Sequence, residues 1–168
     1  SGERDKDARS VVILLDTSAS MKTTDSSADD GASRLDDAKK AVLELLDGMG
    51  AGDAVMLMRM DGRTTPLTRF QSDIPALKRI LQTVSASDTP ANLSAALSAA
   101  SDALRERQKP QIILVGDGAY DEEALQRVLW EPAKAKTDEA PIPTSNDLAA
   151  VDLSGIEVSY VPVGQAAD

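Results

Sequence analysis

The sequence predicts an α/β fold of three layers, with helices on both faces of a mostly parallel central sheet that carries one antiparallel edge strand. Three observations predict it. Short apolar runs rich in β-branched residues recur at Val11 to Leu15, Ala54 to Met60, Ile112 to Val115 and Ile156 to Val161, the pattern of strands buried on both faces of a parallel sheet. Segments with apolar residues at helical spacing lie between several of these runs. Two of the runs end in an aspartate, at Asp16 and at Gly116-Asp117-Gly118. Open α/β sheets bind ligands at the carboxyl ends of their strands.

The elements follow in order. After Asp16, Ser33 reads as an N-cap with Asp36 three residues on, in the manner of a capping box. The helix it starts carries Leu35, Ala38, Val42, Leu45 and Met49 as an apolar stripe, and Gly48 and Gly50 end it. The strand Ala54 to Met60 meets Asp61-Gly62, a two-residue hairpin signal, which predicts an antiparallel strand from Arg63 to Phe70. Asp73 to Val84 is helical, with Ile74, Leu77, Ile80 and Leu81 on one face. Thr89 reads as an N-cap and Pro90 as the first residue of a helix running to Gln108 along Leu93, Leu97, Ala100 and Leu104. A further helix is expected over Asp121 to Trp130, then a surface connector over 131–148 containing Pro132, Pro141 and Pro143. All 168 residues read as a single domain with 1–10 as an N-terminal extension.

Composition narrows the chemistry. The chain has no Cys and no His, and its formal net charge is −10. It therefore has no imidazole base, no thiolate nucleophile, no disulfide and none of the usual zinc ligands. The acidity argues against nucleic acid, whose phosphates call for clustered Lys and Arg. An apolar fraction of 42% is too high for a disordered acidic segment, and no apolar run reaches the roughly 20 residues of a membrane span. Oxygen chemistry remains, suited to hard cations.

Asp16-Thr17-Ser18-Ala19-Ser20 places a carboxylate and two hydroxyls at alternate positions of one loop, where all three can aim at one point. Thr89 adds a hydroxyl at an expected helix start, and Asp117 a second carboxylate at a strand end. This is a mostly neutral oxygen set with room for water or an outside ligand, as magnesium prefers, with manganese or calcium as substitutes. The acidic loop Asp25, Asp29, Asp30 lacks the spacing and closing Glu of an EF-hand and reads as solvated. Glu122 and Glu123 read as first-turn charges on a helix dipole.

These residues resemble the von Willebrand factor A, or integrin I-like, domain, whose metal-ion-dependent adhesion site has the pattern DxSxS, then Thr, then Asp. The resemblance covers nearly the whole chain, including the hairpin after Asp61. It implies a Rossmann-like fold in which Ser18 and Ser20 bind the cation directly, Thr89 directly or through water, and Asp16 and Asp117 largely through water. Arg34-Leu35-Asp36-Asp37-Ala38-Lys39 and Gly52-Asp53-Ala54-Val55 are similar to bacterial members, particularly the Bat aerotolerance group, which is linked to MoxR-type ATPases and often sits in membrane-anchored parents. The abrupt, charged start is compatible with a soluble domain excised from such a parent. Where the family has glycine before its threonine this chain has Ser87-Asp88, and Asp88 would add charge to the site.

The function expected on this basis is recognition without turnover: a divalent-cation-dependent module that grips an Asp or Glu side chain of a partner protein through the metal. Nucleic acid and membrane contact by this segment are not expected. An enzymatic alternative rests on Gly116-Asp117-Gly118-Ala119-Tyr120-Asp121, which resembles a motif of haloacid dehalogenase-type phosphatases. Those enzymes need an acid two residues after the first aspartate, and that position here is Ser18. The other alternative is a metal-free scaffold domain. Serine hydrolysis fails for want of a His base and a G-x-S-x-G elbow.

Overall fold

The strand Ser10–Asp16 (β1) is buried along its whole length, and its side chains feed two separate cores. Val11, Ile13 and Leu15 enter one, whereas Val12 and Leu14 enter the other. Alternation of this kind follows from the period of two in a strand, and it places β1 at the centre of a covered sheet. The computed structural model describes residues 8–24, 32–118 and 153–164. Beside β1 lie β2 (Ala54–Met60), β3 (Thr64–Pro66), β4 (Pro110–Gly116) and β5 (Glu157–Pro162). The sheet order is β3-β2-β1-β4-β5, parallel throughout except for β3, which runs antiparallel to β2. The register pairs Asp16 with Met60 and Leu15 with Val115. The carboxyl ends of β1, β2 and β4 therefore share one rim.

Helices α1 (Arg34–Asp47) and α2 (Ile74–Gln82) contribute to the first core, and α3 (Leu93–Ala103) to the second. The capping box of α1 forms as expected, with the Ser33 side chain accepting from Asp36 N–H and the Asp36 side chain from Ser33 N–H. Its fully covered stripe is Leu35, Ala38, Val42 and Leu46. The expected Leu45 and Met49 are half-buried at the margin. Small alanines at 96 and 100 allow α3 to lie close to the sheet beside Leu93 and Leu97. The amino end of the sheet is fastened by Arg9, whose backbone N–H and guanidinium both donate to Asp53 at 2.9 Å. Arg9 and Ser10 thus belong to the packed domain.

Three expectations about element bounds are corrected. The antiparallel strand is Thr64–Pro66, not Arg63 to Phe70. After Pro66 the Thr68 hydroxyl accepts the Leu57 N–H at 3.1 Å, taking the donor that a continuing ladder would use. The hairpin loop spans three residues, Asp61 to Arg63, because Met60 pairs with Thr64. Helix α3 starts at Leu93 and is capped by Asn92, whose side chain accepts from Ala95 N–H at 3.0 Å. It ends at Ala103 and cannot run on to Gln108, because Glu106 adopts a positive φ of 66°, a conformation that no right-handed helix can contain. The helix expected over Asp121 to Trp130, the connector 131–148 and the loop of Asp25, Asp29 and Asp30 lie outside the described residues.

Candidate metal centre

The loop after β1 is organised by Asp16. Its Oδ1 accepts from the Ser18 N–H at 2.8 Å and from the Ser18 hydroxyl at 2.6 Å, a local turn that short acidic side chains readily make. Ser18 Oγ then stands 3.3 Å from Ser20 Oγ. A 3-10 turn over Ala19–Lys22 follows, with the Met21 N–H donating to the Ser18 carbonyl at 2.9 Å. The Met21 side chain is completely buried in the first core, which pins the turn from below. Asp16, Thr17 and Ser18 are themselves buried. Thr17 N–H bonds the Met60 carbonyl at 2.8 Å, and Ser87 N–H the Thr17 carbonyl at 2.7 Å. The loops after β1 and α2 and the end of β2 are laced together by backbone.

Asp117 follows β4, the strand next to β1. Tyr160 reports that the two carboxylates share a neighbourhood. Burial, then the charge of Asp117, then that of Asp16 push its phenol up to about 12, and its hydroxyl donates to the Gly116 carbonyl at 3.2 Å. Asp117 has an almost fully covered side chain, 1% exposed, and its Oδ2 accepts from Arg34 Nη1 at 3.1 Å.

Thr89 joins this rim through its main chain: its carbonyl accepts the Ala19 N–H at 2.9 Å. Its hydroxyl accepts from the Gly62 N–H at 2.9 Å and lies 3.1 Å from Ser87 Oγ. A Cβ at Gly62 would come 3.2 Å from that hydroxyl, so the approach suits glycine. Thr89 does not cap α3, a role that falls to Asn92. Asp88 pairs with Lys22 on the exposed surface. The hydrogen bond and charge of Lys22 hold its carboxyl below the usual range, so the charge Asp88 was expected to lend the site is largely answered by Lys22.

Asp16, Ser18 and Ser20 are therefore joined by direct hydrogen-bonding distances, Thr89 is tied to them by backbone, and Asp117 lies on the adjacent strand end. The 3.3 Å between the serine oxygens fits neighbouring ligands of an octahedral magnesium, which sit roughly 3 Å apart when each is about 2.1 Å from the ion. The Ser18 proton points at Asp16, leaving lone pairs for a cation. Carboxylate and hydroxyl oxygens of Asp16, Ser18 and Ser20 are of the kind a hard cation takes, and among the described residues no three acidic side chains gather into a metal-holding group.

Arg34 and Tyr160 were not anticipated from the sequence. Arg34 did carry one signal: it opens α1, where the helix dipole disfavours a cation. Tyr160 carried none, because its place beside two aspartates comes from strand order.

Residues 11–119 match the family model of the von Willebrand factor type A domain, and the chain belongs to that family. Solved structures agree in fold. The conserved hypothetical protein BatB from Bacteroides thetaiotaomicron is 23% identical with a TM-score of 0.64, over 91% of this chain and 65% of that one. An aerotolerance-related membrane protein from Bacteroides fragilis, solved with multiple mutations to serines, is 26% identical with a TM-score of 0.67, over 92% and 67%. The SpRpn10 VWA domain is 13% identical with a TM-score of 0.57, over 95% and 90%. The chain thus spans about two thirds of the length of the two Bacteroides proteins. No curated protein matches the chain. Among the described residues no helix is long and apolar enough to cross a membrane.

Proposed function

We propose that this domain is a divalent-cation-dependent protein-binding module. A magnesium ion, or manganese or calcium in its place, is held by Ser18 and Ser20, with Asp16 and Asp117 acting largely through water. Thr89 contributes directly or through water. One coordination position remains for an Asp or Glu carboxylate of the partner. The observation that carries the reading is the Asp16–Ser18–Ser20 arrangement, in which one carboxylate orients a hydroxyl 3.3 Å from a second hydroxyl. The chain's net charge of −10 would repel an acidic partner, and a bound cation reverses the field locally. The likeness to an aerotolerance-related membrane protein supports a bacterial, membrane-anchored parent.

Recognition without turnover follows from the same residues. Ser18 stands where a haloacid dehalogenase-type phosphatase needs its general acid, and a serine hydroxyl cannot supply that proton at neutral pH. The decisive experiment is calorimetric titration with magnesium, followed by partner capture in magnesium and in EDTA. Wild type should bind the ion, capture its partner in magnesium and release it in EDTA, whereas Ser18→Ala with Ser20→Ala should bind no ion and capture the partner weakly even in magnesium while remaining folded. Capture indifferent to EDTA would make the domain a metal-free scaffold. Magnesium-dependent release of phosphate from p-nitrophenyl phosphate, lost in Asp16→Asn, would make it an enzyme.

A further inference from the structure

Arg34 occupies a position that its own helix does not favour. It is the first residue of α1, where unsatisfied N–H groups already carry partial positive charge and a cation is mildly destabilising. The compensation is tertiary. Its guanidinium reaches across 83 positions of sequence to Asp117 Oδ2 at 3.1 Å. Its aliphatic stem lies against Gly164, whose φ is +66° and where a Cβ would fall 2.4 Å from Arg34 Cγ. The glycine leaves the space this side chain runs through. With Asp117 only 1% exposed and Arg34 27% exposed, the pair is poorly screened by water.

From this geometry we infer that Arg34 is a resident counter-ion that competes with the divalent cation for Asp117, and so weakens metal binding at the rim. The inference rests on the metal-binding reading above and adds the residue that sets its strength. Two positive charges compete for one covered carboxylate. Binding the ion requires that Arg34 either gives up Asp117 or remains close to a like charge, and both oppose binding. With the ion absent, Arg34 keeps Asp117 in an ion pair.

The test is calorimetric titration of the folded domain with magnesium chloride, on wild type, Arg34→Met, Arg34→Lys and Gly164→Ala. Methionine retains an apolar stem over Gly164 without the charge, and it should tighten magnesium binding about tenfold. Lysine keeps the charge and should stay within about twofold of wild type. Gly164→Ala pushes the arginine off its track without deleting it and should shift affinity in the same direction as methionine, so a poorly folding Arg34→Met leaves a second arm. Thermal melts give an independent readout: in EDTA Arg34→Met should melt below wild type, because Asp117 loses its counter-ion, and the rise on adding magnesium should be larger. Wild type that binds magnesium while Arg34→Met and Gly164→Ala bind equally or more weakly overturns the inference and leaves the metal site standing. Failure of wild type and all variants to bind any ion overturns the metal site itself.

Discussion

The Ala19 N–H donates to the Thr89 carbonyl at 2.9 Å, so the serine loop and the threonine loop are joined by main chain, whatever the threonine side chain does. Thr89→Ala should therefore keep the rim intact. Its hydroxyl is exposed and bonded to the Gly62 N–H, a donor that water can satisfy, so the expected cost in EDTA is under about 1 kcal/mol by urea unfolding. The stabilisation by magnesium should fall in the same variant without vanishing. Loss of the fold in Thr89→Ala would contradict the backbone account.

A cation that binds only the folded state stabilises it by about 2.7 kcal/mol at a hundredfold excess over its dissociation constant. Melting in excess magnesium should exceed melting in EDTA accordingly, and Asp117→Asn should remove most of the difference. An unchanged melting temperature together with no heat of titration would rule out the site.

Tyr160 should titrate late. Burial and the charges of Asp117 and Asp16 push it to about 12 when folded, against about 10 unfolded. The folded state then holds a proton the unfolded state has lost. The linked stability is complete below the unfolded value and drains away as pH rises from about 10 to 12. The chain has two tyrosines, so phenolate absorbance should show a late step that Tyr160→Phe abolishes. Urea melts across that range should weaken less in the variant.

At the opposite end of the sheet Asp53 predicts acid sensitivity. Burial raises its carboxyl, but bonds from Arg9 N–H, Gly50 N–H and the Arg9 guanidinium together outweigh burial and leave it below its ordinary value. A depressed folded value means stability that is complete above the unfolded pKa of about 3.9 and is lost as pH falls through the folded one. Asp53→Asn should be less stable at neutral pH and show a flatter acid limb. Parallel acid limbs in the two proteins would remove Asp53 from the account.

Leu14 lies midway along β1 with no exposed surface, packed in the second core. Leu14→Ala should cost about 2–5 kcal/mol, measured by urea with unchanged slope. A much smaller loss would mean that the α3 face collapses readily onto the gap.

Much of the architecture was legible locally. The apolar runs became β1, β2, β4 and β5, and the Ser33–Asp36 pattern became a real capping box. Both signals act within a few residues of chain, through strand burial and through N–H groups one turn away, so no knowledge of the partners was needed. The DxSxS loop was legible for the same reason: Asp16 bonds Ser18 two residues on. Bounds failed where a distant group intervened. Thr68 took a donor from β2 and truncated β3, and Gly62 engaged the Thr89 hydroxyl while Asn92 capped α3.

By itself, then, the sequence determined that strands and helices alternate and that carboxylates stand at two strand ends, since hydrophobic period and capping are properties of neighbouring residues. Only the tertiary structure decided that those ends are adjacent, because β4 pairs with β1 across the crossover. It alone placed Tyr160 beside Asp16 and Asp117, and brought Arg34 onto Asp117. Charges separated so far along the chain meet only when strand order and helix packing bring them within a few ångströms, and no local propensity encodes that distance.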